Sequence, residues 1–306
     1  MAAEDFRVRS DFHMHCGHSH DVGNGTTLAS IREQSRAAGV RAIGISDHLN
    51  NGRTDDHLRG SRAEYDALDD REGFHFGVEC STLRAWDLQV DRERGEGATP
   101  YGHYDGGPVQ PPQVYLPDEL REELDFDYVI GGVHWLLGVC GGGSRRLGPA
   151  DTAEAVRNWH EQQLCLVSHP HVDVLVHPWW WYTVALDPIR VQGMPWLYDF
   201  GAIPRSMHEE LAAAAREHDT AIELSGVSFH ERHDGSKTGQ ADEFFPPPPR
   251  EQYLEFHHLL RDAGVRFSIG SDSHGPGYDD SKVLRLREAL ASLRLTDADL
   301  WHPPSR

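Results

Sequence analysis

Seven short apolar runs, rich in β-branched residues, alternate with longer amphipathic stretches along almost the whole chain. That alternation predicts strands near residues 7–12, 41–46, 74–79, 128–133, 172–176, 221–224 and 266–270. It predicts helices over 27–38, 151–166, 206–218, 251–263 and 280–292. Gly39 and Gly264 stand where two of these helices should end, and Asp151 with Glu154 forms a capping-box pattern where another should begin. Strands separated by helices pair in parallel through right-handed crossovers. The 306 residues suit one domain, a closed or nearly closed barrel, with a doubly wound open sheet as the competing architecture. Three stretches interrupt the pattern. Residues 92–117, rich in Gly and Pro, are expected to form a long loop. Residues 140–149 contain Gly-Gly-Gly-Ser-Arg-Arg, and 229–250 is a second excursion that carries four prolines, Pro246 to Pro249.

Charge and cysteine usage narrow the function. Lys and Arg total 29 against 49 Asp and Glu, a net charge of −20 that argues against binding a nucleic-acid backbone. No apolar run of about 18 residues occurs, so no membrane span is expected. The acidic N-terminus without an apolar stretch argues against a signal peptide. Cys16, Cys80, Cys140 and Cys165 lie far apart without a CxxC spacing. That argues against a disulfide framework and points to a reducing cytoplasm.

Histidine occurs 21 times, against 11 Phe and 9 Tyr, and its placement is ordered. The first strand runs into Asp11-Phe12-His13-Met14-His15, where residues two apart share a face. His20 follows in the next loop. The second strand ends in Ser46-Asp47-His48, the third in Gly77-Val78-Glu79 and the fourth in Gly132-Val133-His134. The fifth ends in Val176-His177-Pro178 and the seventh in Gly270-Ser271-Asp272-Ser273-His274. Potential metal ligands thus gather at the carboxyl ends of the parallel strands, the rim where barrel enzymes assemble their sites. Chance accounts for one or two such residues, not for one at most of the strands.

These motifs resemble the polymerase-and-histidinol-phosphatase (PHP) family of metal hydrolases, over nearly the whole chain from Asp11 to His274. The resemblance implies a distorted (β/α)7 TIM-like barrel and a trinuclear site of zinc, manganese or iron. It implies one metal on His13, His15, Glu79 and Asp272, and a second on Glu79, His134 and His177 with Glu79 bridging. A third would lie on His20, His48 and His274. The loops 92–117 and 229–250 match no pattern of that family, so the substrate stays open between histidinol phosphate, a nucleotide and a sugar phosphate.

Such a site is positive inside an acidic protein and favours a compact anion, a small phosphorylated metabolite. A water held between two metals loses a proton near neutral pH and attacks phosphorus in line, releasing phosphate. His230 is a candidate acid for the leaving group. Asp47, Asp11 and Asp21 are candidates to orient ligand imidazoles. Arg145, Arg146, Arg232, Arg84 and Lys237 are candidates to hold the phosphate. Trp179-Trp180-Trp181-Tyr182 offers rings for stacking or for packing, and Cys16 reads as a buried loop residue. Three rival readings stand beside the phosphatase: a phosphodiesterase or 3′–5′ exonuclease, a non-catalytic metal-binding domain, and a metal hydrolase of amide or lactone bonds.

Overall fold

The structure, a computed structural model, describes residues 10–22, 25–138, 149–179, 200–226, 247–275 and 286–304. Each of the seven expected strands is present. They are β1 (Ser10–Asp11), β2 (Ala42–Ile45), β4 (Phe74–Leu83), β6 (Tyr128–Gly132), β7 (Val174–Leu175), β8 (Ala221–Ser225) and β9 (Phe267–Gly270). They pair in parallel in the order β1-β2-β4-β6-β7-β8-β9. The first and last strands then meet. The Phe12 amide donates to the Ile269 carbonyl at 3.0 Å, Asp272 to His13 at 2.8 Å and His15 to Ser273 at 3.0 Å. The result is a nearly closed α/β barrel, as expected.

Two short strands were not expected. β3 (His48–Leu49) extends the pairing along β4, and β5 (Gln113–Val114) runs antiparallel to the end of β4. Residues 92–117 are therefore not one loop. They begin inside α3 (Ala85–Arg94) and return to the sheet at β5. α3 buries only Asp87, so it lacks the apolar period that reveals a helix.

Helices α1 (Leu28–Ala37), α5 (Pro149–Val167), α6 (Arg205–His218), α7 (Pro247–Asp262) and α8 (Leu286–Leu293) correspond to the five expected. α2 (Asp55–Asp66) and α4 (Asp118–Leu124) were missed, their apolar positions being few: Leu58 and Tyr65 in one, Leu120 and Leu124 in the other. α1 buries Leu28, Ile31, Arg32 and Ser35, and Thr27 caps it by accepting the Ser30 amide at 3.2 Å. α7 starts at Pro247, four residues earlier than expected. Proline is tolerated in a first helical turn because its missing N–H has no partner there.

Strand alternation divides the side chains. Phe74, Phe76, Val78 and Cys80 of β4, Ile222 and Leu224 of β8, and Phe267 and Ile269 of β9 pack in the large core shared with the helices. A second cluster joins Phe12, Tyr128, Ile130, Val174, Val176, Ala221 and Trp301. The Tyr128 ring crosses Gly44 and Gly77, where an added Cβ would approach it to 2.2 and 2.4 Å, and its hydroxyl donates to the Phe12 carbonyl at 2.8 Å. Among the described residues no helix is long and apolar enough to cross a membrane.

A ring cluster under α6 and α7 predicts a pH response. His208 stacks on Phe200 at 5.2 Å between ring centres, and burial holds its pKa down near 4. The folded chain therefore binds fewer protons here than the unfolded chain between about pH 6.5 and pH 4. This contribution is intact above pH 6.5 and is lost as pH falls through that window. His208→Phe is expected to show a shallower loss of thermal midpoint between pH 7.5 and pH 5 than the parent protein. Equal slopes would refute the assignment.

Candidate metal centre

The barrel rim brings eight of the nine expected ligands into one cluster. Four overlapping groups have ligand atoms within 4.8 Å of one another: His13, His15 and Asp272; His13, Glu79 and His177; His48, Glu79 and His134; and His15, His48 and His274. Glu79 is the hub and is fully buried. Its Oε2 lies 2.9 Å from His48 Nδ1, 3.3 Å from His13 Nε2 and 3.4 Å from His15 Nε2. Its Oε1 lies 3.0 Å from His134 Nε2 and 3.1 Å from His177 Nε2. Asp272 Oδ1 is a second focus, 3.5 Å from His13 Nε2, 3.4 Å from His15 Nε2 and 3.3 Å from His274 Nδ1.

His20, the ninth, belongs to none of these groups. Its ring centre is 5.5 Å from that of His48, and both its nitrogens are buried without a hydrogen-bond partner. The neighbouring Asp21 takes the inner position instead. Its Oδ2 lies 3.0 Å from His48 Nε2 and 3.1 Å from His274 Nε2.

Local backbone and glycines make room for this crowd. His177 and Asp272 both have positive φ, 30° and 50°, a conformation that costs non-glycine residues about 1–3 kcal/mol and concentrates at functional sites. Gly132 faces the hub. A Cβ there would meet Glu79 Oε1 at 2.5 Å, His177 Cε1 at 2.7 Å and His134 Cε1 at 2.9 Å.

The charges respond to one another. Burial alone would neutralise Glu79, but His48, His134 and His13 hold its carboxyl well below the usual range. Burial likewise opposes ionisation of Asp272, and His13 and His274 overcome it. Burial disfavours charge on His13, yet Glu223, Glu79 and Asp272 raise its pKa well above the usual value. His48 rises against its burial because of Glu79 and Asp21. His15 falls well below, through burial and then through repulsion by His274 and His48.

Residues outside the sequence motifs fix the rings. Glu223, on β8 between the outward Ile222 and Leu224, accepts His13 Nδ1–H at 2.8 Å on Oε1 and the His177 amide at 2.8 Å on Oε2. This leaves His13 Nε2 bare toward Glu79 and Asp272. Ser81 pairs with His134 Nδ1 at 2.9 Å and with Asn50 Oδ1 at 2.6 Å. Glu223 was legible only as an acidic residue inside an apolar strand, and Ser81 carried no signal.

Several expectations are corrected. Asp47 does not orient a ring: it accepts the Cys16 amide at 2.8 Å, the Cys16 thiol at 2.9 Å and the Ser61 hydroxyl, and stays 4.0 Å from His15 Nδ1. It anchors the chain after His15, with burial raising its pKa. Cys16 is buried, as expected, and burial together with Asp47 drives its thiol far up. Asp11 accepts the amides of His13 at 3.2 Å and Ser271 at 3.0 Å, tying the barrel seam, and burial lifts its pKa to about 7. The Arg84 guanidinium is taken up by the protein itself. It is buried, pairs with both Asp87 oxygens, and donates to the carbonyls of Tyr104, Gly106 and Pro108. Trp179 is 1% exposed and stacks on His160, so it packs rather than lines the rim. His230, Arg145, Arg146, Arg232, Lys237 and Trp180 to Tyr182 lie outside the described residues.

The excursion after α3 delivers aromatic residues that sequence reading did not single out. Tyr101 stands edge-on to His20 at 4.9 Å between ring centres and to Trp135 at 5.4 Å. Trp135, next to His134, leans on His103 at 5.7 Å.

Gly132→Ala is expected to destabilise the protein by about 1–3 kcal/mol, read as a lower urea midpoint, because the added methyl has no space. Gly97→Ala, whose new Cβ would have nothing within 4 Å, should not lower that midpoint. Equal midpoints for the two variants would contradict the packing described.

Comparison with known proteins adds the fold. No family model matches the chain, and no curated protein matches it in sequence. Among solved structures it is similar to histidinol phosphate phosphatase from Lactococcus lactis subsp. lactis Il1403, complexed with zinc, L-histidinol and phosphate. That overlay has a TM-score of 0.55 and 16% identity, and covers 94% of each chain. An amidohydrolase from Burkholderia multivorans with bound zinc overlays less well, with a TM-score of 0.42, 17% identity and 96% of each chain covered. At this identity the likeness is one of architecture: the chain shares its barrel fold with the histidinol phosphate phosphatase.

Proposed function

We propose that this chain is a metal-dependent hydrolase that releases phosphate from a small phosphomonoester. The observation that carries the reading is the convergence of five imidazoles on Glu79. His13 Nε2, His15 Nε2, His48 Nδ1 and Glu79 Oε2 are all buried, close together and without hydrogen bonds to one another. Buried polar atoms in native proteins normally have partners. A set of inward lone pairs left bare is what divalent cations satisfy. The donors are imidazole and carboxylate without thiolate, a set compatible with zinc, manganese or iron.

In this reading His13, His15, Asp272 and Glu79 hold one ion, and Glu79, His134 and His177 a second. His48 and His274 hold a third, with Asp21 Oδ2 within 3.1 Å of a nitrogen of each. Bound divalent ions would supply an acidified water and positive charge facing the phosphoryl oxygens. The chain's own residues do the arranging. Glu223 holds His13 in one tautomer, Ser81 orients His134, and Asp21 keeps His48 and His274 at a common focus. The fold shared with a phosphatase whose structure holds zinc and phosphate is in keeping with this reading. The net charge of −20 favours a compact anion over a polyanion.

The test is metal content by mass spectrometry beside a phosphate-release screen of metabolite monoesters. About three divalent ions per chain are expected. Chelation should abolish release and readdition restore it. His13→Ala and Asp272→Ala should each lower activity by about a thousandfold and reduce the metal bound. Full activity after chelation would refute the proposal. Glu223→Ala, which leaves every proposed ligand in place, should weaken metal affinity by about 10–100-fold in a chelator competition. Unchanged affinity would show that the Glu223 contacts serve only the fold.

A further inference from the structure

We infer that Tyr101 and Trp135 form a wall that binds a planar aryl or heteroaryl leaving group, so that the substrate is a phosphate monoester of an aromatic or heterocyclic alcohol. The inference rests on the phosphatase reading above and names the substrate class for that site. Tyr101 and Val109 are the exposed large hydrophobic side chains among the described residues, and Tyr101 is 41% exposed. An exposed ring on a mobile tip would mean little, but this one is held. Arg84 ties the carbonyls of Tyr104 and Gly106 to α3, and Asn51 donates to Asp91 and to the Thr99 carbonyl at 2.8 Å each. Tyr104 donates to Asp91. Gly102, at φ 68°, turns the chain against Asn50 and Asn51, where a Cβ would come within 3.0 Å of the Asn50 carbonyl oxygen.

These clamps secure Tyr101 beside His20 instead of in the core. Its ring meets the rings of His20 and Trp135, both edge-on. Trp135 is fixed in turn: its carbonyl accepts Gln162 Nε2–H at 3.0 Å, and its ring leans on His103, which bonds the Thr82 carbonyl at 3.0 Å. Two preorganised rings near a site that, in the reading above, holds divalent ions fit a ligand that is anionic at one end and flat and apolar at the other. Aromatic contacts lose little entropy when both faces are already placed.

The test compares the metal-loaded protein with Tyr101→Ala and Tyr101→Phe on phenyl phosphate and ethyl phosphate. Tyr101→Ala is expected to raise KM for phenyl phosphate about tenfold with kcat within about twofold, and to leave ethyl phosphate unchanged. Tyr101→Phe should match the parent. Equal effects on both esters, or an unchanged KM for phenyl phosphate, would overturn the wall. If the parent hydrolyses neither ester, the phosphatase reading has failed by itself. Calorimetric binding of phenylphosphonate and methylphosphonate to the same proteins then decides. A preference for phenylphosphonate that Tyr101→Ala erases sustains the wall, and no preference in the parent overturns it.

Discussion

A carboxylate with no exposure to water must find positive or hydrogen-bonding partners, or lose its charge at a cost of several kcal/mol. Glu79 is that carboxylate, and much of the rim follows from its needs. Five imidazoles point at its two oxygens. Gly132 stays without a side chain so that Glu79 fits. Gly270 does the same for Glu223, where a Cβ would approach Oε1 to 1.8 Å. The positive φ values of His177 and Asp272 are further local costs, sustained because the surrounding strands leave those residues no alternative.

The strand period distributes this chemistry. Within β4, β8 and β9 the outward positions feed the helix-packed core, while Glu79, Glu223 and Gly270 occupy the opposite parity. Along β6 the same parity carries Tyr128, Ile130 and Gly132, passing from apolar filling to bare space beneath the cluster. The polar hub thus rests on an apolar layer of Tyr128, Ile130 and Val174, which keeps the dielectric low and the charge interactions strong.

The strands were legible because each is a short apolar run, and the clustered residues because each ends such a run. His13, His15, His48, Glu79, His134, His177, Asp272 and His274 needed no tertiary information beyond parallel pairing. What stayed hidden depends on contacts between distant segments. Glu223 lies 210 residues from the imidazole it bonds. The choice between His20 and Asp21 turns on which of two neighbours a loop directs inward, and strand parity does not reach into loops. Arg84 looked like a phosphate ligand from its position after a strand, but Asp87, one helical turn on, claims its guanidinium. Helix α3 escaped notice because its polar surface carries no period to read.

β1 and β9 meet through His13, His15, Asp272 and Ser273, residues of the cluster itself or its neighbours. The backbone bonds that close the barrel thus run through residues of the cluster or beside it. They join segments about 260 residues apart, contacts of the kind that form late because a long chain loop must close first. A ribosome releases the chain from its N-terminus, so His13, His15, His48 and Glu79 are all made long before Asp272 and His274 emerge. Asp272 and His274 therefore join the cluster last, when the final strand docks against the first.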